Sequence, residues 1–104
     1  MAKFKLQPEP TFKAKVKIPV PGDPKQPEVE FTFRFRDRDE LVALLERAKE
    51  QDLVKTAMEM AVGWELTDGF NEDNVRLLDK TYIGSLGRVV EAYWEEHTKA
   101  LEKN

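Results

Sequence analysis

The chain has 104 residues, with 17 Lys and Arg against 20 Asp and Glu for a net charge of −3, and 40% of it is apolar. That suffices for one hydrophobic core near the lower size limit of self-sufficient folding, and is too apolar for a disordered tail. No apolar run approaches the ~18 residues that a membrane span needs, so no membrane partner is expected.

The start, Met1-Ala2-Lys3-Phe4-Lys5, has no long apolar stretch after its lysines, so no secretory signal is expected. The lack of cysteine excludes disulfides and thiolate nucleophiles, and fits a cytoplasmic setting. A single His (His97) and a single Ser (Ser85) remove most hydrolase and metalloenzyme designs.

Charge and proline divide the chain in two. Residues 1–36 carry eight basic and four acidic side chains, a net of +4, and residues 37–104 carry nine and sixteen, a net of −7. All six prolines lie in the first 27 residues, so helices are expected only after them. One domain over 1–104 is expected, with a β-hairpin region at 1–36 and a helical region at 37–104.

In the first region Phe12, Ala14, Val16, Ile18 and Val20 alternate with Lys13, Lys15 and Lys17. Val29, Phe31, Phe33 and Phe35 alternate likewise with Glu30, Thr32 and Arg34. This period-two pattern predicts two half-buried antiparallel strands, joined by the loop Pro21-Gly22-Asp23-Pro24-Lys25-Gln26-Pro27. Matching the faces suggests a register with Phe12 opposite Phe35, Val16 opposite Phe31 and Lys17 opposite Glu30. A nucleic-acid partner is not expected, because the aromatics point away from the lysine row, and outward lysines are ordinary protection for an edge strand.

In the second region Asp37 and Glu40 form a capping-box signature before Leu41, Leu44, Leu45 and Ala48 at helical spacing. Asp52 precedes a second stripe of Leu53, Ala57, Met60, Ala61 and Trp64, which predicts a helix ending near Gly63. Asn71 caps a short third helix bearing Val75, Leu77, Leu78 and Tyr82. After Gly84, with Ser85 or Thr81 as cap, a last helix carries Leu86, Val89, Val90, Tyr93, His97 and Leu101. The expected fold is α+β: an N-terminal antiparallel β-hairpin followed by about four α-helices.

Residues with chemical potential all have plainer explanations. Glu91, Glu95 and Glu96 around His97 read as the outer face of a helix, and His97 as a satisfied boundary residue. Gly84-Ser85-Leu86-Gly87 lacks the Lys-Ser/Thr of a phosphate loop. Asp68, Asn71, Glu72, Asp73 and Asn74 lack the ligand order of a calcium loop. Trp64 reads as a core or subunit anchor. The chain is therefore read as no enzyme: no catalytic, cofactor-binding or metal-ligating set is expected, no cofactor and no small-molecule substrate.

The order of segments nevertheless has a likeness. Phe4-Lys5-Leu6-Gln7-Pro8-Glu9-Pro10-Thr11-Phe12-Lys13 leads into a Val-Lys-Ile-Pro-Val-Pro-Gly strand and loop, then Val29-Glu30-Phe31-Thr32-Phe33 and an Arg-Asp-Glu-Leu helix start. Val62-Gly63-Trp64-Glu65-Leu66, Phe70-Asn71-Glu72-Asp73-Asn74, Ala92-Tyr93-Trp94 and the closing Lys103-Asn104 follow. Over nearly its whole length the sequence resembles the small tail assembly chaperones of long-tailed bacteriophages and prophages.

The resemblance implies a non-catalytic protein of the bacterial host cytoplasm. It would coat the tape measure protein, keep it soluble, and leave as tail tube subunits polymerise; the tail tube protein is a second implied partner. It transfers no site residues. The opposite charges of the two regions offer complementary surfaces for a homo-oligomer, a ring or a spiral, or else neutralise each other within one molecule. Lys13, Lys15 and Lys17 are the candidate self-association row, and Met58, Met60, Phe70 and Trp94 the candidate apolar client surface. The alternatives are another small tail or virion component, a protein-interaction adaptor, or a nucleic-acid-binding regulator.

Overall fold

A computed structural model describes residues 4–99. Its elements run β1 (Thr11–Lys17), β2 (Glu28–Arg34), α1 (Arg38–Ala48), α2 (Leu53–Met60), β3 (Ala61–Trp64), α3 (Glu72–Thr81) and α4 (Ser85–Thr98). The three strands form one antiparallel sheet in the order β1-β2-β3, so the fold is α+β, with an N-terminal hairpin and four helices.

The alternation along β1 and β2 separates the faces as expected. Val16, Val29, Phe31 and Phe33 are buried against α2 and α4, while Lys13, Lys15 and Lys17 lie exposed on the outer face. Phe33 and Tyr93 of α4 are fully buried with ring centroids 5.4 Å apart, and Phe12 lies 5.6 Å from Phe33. Burying each such side chain contributes about 1.5–3 kcal/mol, so this aromatic block is a main attachment of helix to sheet.

The register differs by two residues from the expected one. Phe12 stands opposite Phe33, Val16 opposite Val29, Lys15 opposite Glu30 and Lys17 opposite Glu28. A shift of two leaves every side chain on its own face, so face matching could not separate the two registers. Proline bounds the observed one. Ile18 N–H donates to the Pro27 carbonyl (2.9 Å) and Phe35 N–H to the Pro10 carbonyl (2.9 Å), and neither proline has an N–H to return. The ladder therefore stops at both prolines, and Phe35 lies beyond β2 with 41% of its surface exposed.

The second correction is β3. The stripe over Leu53–Trp64 is not one helix: α2 stops at Met60, and Ala61 is already extended (φ −112°, ψ 153°). Ala61 and Trp64 have helical spacing by coincidence. A β-branched residue and a glycine beside an aromatic one make Val62-Gly63-Trp64 a poor helix, and the segment satisfies the free edge of β2. Trp64 pairs with Phe31 and Gly63 with Thr32, and a local irregularity between Thr32 and Phe33 precedes the pairing of Phe33 with Ala61.

Three helix starts follow the sequence signals. Asp37 and Glu40 form the full capping box, Asp52 accepts from Lys55 N–H, and Asn71 accepts from Asn74 N–H. The start of α4 does not. Its cap is Gly84 at φ +92°, a left-handed conformation that favours glycine, and neither Ser85 nor Thr81 caps it. Ser85 is instead fully buried, its hydroxyl donating to the Leu78 carbonyl at 3.2 Å. Leu101, expected on the last helix, lies outside the described residues.

Candidate functional site

Two arrangements of residues stand out, one built by α3 and β3, the other by α1 and α4. In the first, Trp64 ends β3, and its indole N–H donates to the Asp68 carbonyl (2.7 Å), closing the loop that follows. Phe70 meets the Trp64 ring edge-on at 5.1 Å, and Phe31 meets the same ring edge-on at 5.7 Å. The Asn74 side chain donates to the Gly69 carbonyl (2.7 Å) while Asn71 caps α3. The Gly-Trp-Glu-Leu and Phe-Asn-Glu-Asp-Asn segments thus form one latch that holds edge strand to helix. Phe70, a candidate client residue, is half-buried in that latch.

The second arrangement is a groove of about 740 Å³ between the start of α1 and the end of α4. Phe12, Phe35, Leu41, Val42, Trp94 and His97 supply its apolar lining. Helix α1 packs chiefly on α2, so it stands off α4 and leaves the gap open. It buries only Leu44 fully, leaving Val42 52% and Leu45 42% exposed.

A polar bracket holds the floor. The His97 ring accepts from the Arg36 backbone N–H at Nε2 (3.1 Å), while its Nδ1 lies 3.0 Å from the Tyr93 carbonyl and donates to it in the matching neutral tautomer. The Arg36 guanidinium donates to the Tyr93 hydroxyl (3.0 Å). Burial pushes that hydroxyl above its ordinary pKa, with the Arg36 hydrogen bond opposing, so the phenol stays neutral. Phe12 lies edge-on to the His97 ring at 5.2 Å, and Phe35 lies tilted against it at 5.5 Å.

A further bracket ties α1 to α2. Arg47 donates to Glu59 from Nε (2.9 Å) and Nη2 (2.6 Å), and the Gln51 amide reaches both Glu59 (2.8 Å) and Thr56 (3.2 Å). The Arg47 hydrogen bond holds the Glu59 carboxyl below the usual carboxylate range, against an opposing push from partial burial.

The structure disperses the other candidates. Met60 is buried in the core at 3% exposure, so any exposed apolar patch is built from its neighbours. Met58 is half-buried against the core, and Trp94 lies half-buried in the groove. Lys15 and Lys17 stand opposite Glu30 and Glu28, but Lys13 stands opposite Thr32 and lines the groove. Among the described residues no group of three or more His, Asp or Glu could hold a metal ion, and no helix is long and apolar enough to cross a membrane.

A family model described as phage tail assembly chaperone matches residues 1–104, the whole chain. The chain belongs to that family. Its role is that of a phage tail assembly chaperone. No curated protein and no solved structure matches it.

The geometry of this tail assembly chaperone leaves apolar side chains exposed, Phe35, Val42 and Leu45 among them. The groove was hidden from sequence reading, apart from Trp94. Leu41 and Phe12 read as core positions, and Phe35 was placed inside the hairpin. Besides Trp94, Val42 carries a signal: an apolar residue beside the expected stripe of α1.

Proposed function

We propose that this chaperone acts without catalysis, binding the tape measure protein in the bacterial host cytoplasm and keeping it soluble until tail tube subunits polymerise around it. The family match over the whole chain carries this reading. It is supported by the apolar surface that Phe35, Val42, Leu45, Leu53, Leu77 and Ile83 leave uncovered on so small a protein. Chaperone action of this kind needs no bond making, only reversible burial of the client's apolar side chains. Met58, Phe70 and Trp94 are half-buried, and they stay in the proposed client-binding set. Co-expression tests the reading: the tape measure protein should move from the insoluble to the soluble fraction with the chaperone and stay insoluble without it. An unchanged distribution, or the protein found as a stoichiometric component of finished particles, refutes it.

Self-association into a ring or spiral belongs to the same proposal. Lys13, Lys15 and Lys17 project from an uncovered sheet face and would meet an acidic helix face of a neighbour. Light scattering of a Lys13→Glu/Lys15→Glu/Lys17→Glu variant should show a smaller particle than the parent, and an unchanged size rejects that interface.

A further inference from the structure

The groove between α1 and α4 has a chemistry of its own. Its floor is apolar, with Phe35 41% and Val42 52% exposed, and two helices that stand apart form its walls. A gap of this kind between helices, over an apolar floor, is filled by a third helix laying down its apolar stripe.

Charge at the rim narrows the partner. Lys13 and Arg36 line the groove and Arg34 precedes it on β2, and among the described residues none of the three forms an ion pair. The carboxylates nearby are already engaged. Asp37 accepts from Glu40 N–H in the α1 cap, Glu40 accepts from Asp37 N–H, Glu96 pairs with Lys99 at 3.0 Å, and Asp39 pairs with Arg38 at 3.4 Å. Those contacts orient the carboxylates without removing their charge, and the lining as a whole, Lys13, Arg36 and Arg38 against Asp37 and Glu96, carries a net of +1.

We propose that this groove receives an amphipathic helix of the client protein whose apolar stripe is flanked by carboxylates. This rests on the client-binding reading above and adds the site and the chemistry of the segment it takes. Trp94 and Phe35 supply the apolar contact, and Lys13 and Arg36 meet the carboxylates. The rim charges favour acidic over basic segments and raise the rate of encounter.

The probe is a fluorescein-labelled synthetic helix of about 18 residues, with leucines at positions i, i+3, i+4 and i+7 and glutamates beside them, set against a twin with lysines in their place. The full-length protein should bind the glutamate peptide, read by anisotropy, at least about tenfold more tightly than the lysine twin. Val42→Asp and Lys13→Glu should each weaken that binding by about tenfold. Both sites are exposed, and an unchanged circular dichroism melt verifies that each variant is folded. Absent binding, equal binding of the two peptides, or binding unchanged in Val42→Asp overturns the proposal. So does a Val42→Asp variant that loses self-association while still binding the peptide, because a second copy then occupies the groove. Co-expression separates this failure from that of the wider reading. If the parent and Val42→Asp both keep the tape measure protein soluble, the groove assignment fails alone; if the parent does not, the client reading falls.

Discussion

His97 joins parts of the chain that are 61 residues apart, and replacing it isolates what that junction contributes. In His97→Phe the ring still fills the space between Phe12, Phe35 and Tyr93, whose centroids lie 5.2, 5.5 and 4.5 Å away. What disappears is the Nε2 acceptor, and the part-buried Arg36 N–H is left without its partner. Leaving such a donor unsatisfied costs about 1–3 kcal/mol. Domains of this size hold about 5–15 kcal/mol in total, and each kcal/mol shifts Tm by roughly 4–8 °C. The variant should therefore melt roughly 5–20 °C lower, with a single cooperative transition. Urea unfolding followed by far-ultraviolet circular dichroism should show a lower midpoint at unchanged slope. His97→Ala, which also loses three ring contacts, should fall further. A His97→Phe protein as stable as the parent would show that ring packing alone fixes the junction.

Other positions give independent checks. Gly84→Ala should cost about 1–2 kcal/mol from the left-handed backbone alone, because a methyl there meets only Pro19 Cγ at 3.7 Å; a melt within a degree of the parent rejects that account. Trp64→Phe should keep the edge-on contacts and lose the hydrogen bond to Asp68, costing about 1 kcal/mol and raising hydrogen exchange in residues 65–70; unchanged exchange would remove the latch. Glu59 has its folded pKa depressed, so the stability it adds is present above its unfolded pKa and is lost as pH falls through the folded value. Glu59→Gln should flatten the acid limb of a stability-against-pH curve between the unfolded and folded values of Glu59, by under about 1 kcal/mol for so accessible a pair, and an identical curve refutes it.

Much of the architecture was readable because it rests on local rules. Asp37, Asp52 and Asn71 cap the helices that their positions announce, since an N-cap needs only a side-chain oxygen two or three residues ahead of free N–H groups. The lysine row faces outward because strand side chains alternate. Local rules failed where two outcomes share the same local pattern. Gly84 rather than Ser85 caps α4 because the chain reverses there with positive φ, which a side-chain signature does not encode. Phe70 and Met58 were marked for their apolar character, but whether such residues face the core or a partner depends on elements distant in sequence.

Composition, proline placement and hydrophobic period by themselves determined an α+β chain with a basic hairpin leading into acidic helices, because each is a property of neighbouring residues. Tertiary structure alone decided the two-residue register shift, the conversion of Ala61–Trp64 from helix to edge strand, and the groove between α1 and α4. Those three depend on pairing and packing between segments far apart along the chain. A period of two is blind to a shift of two, an unpaired strand edge recruits whatever segment lies beside it, and a gap between helices exists only once both have docked.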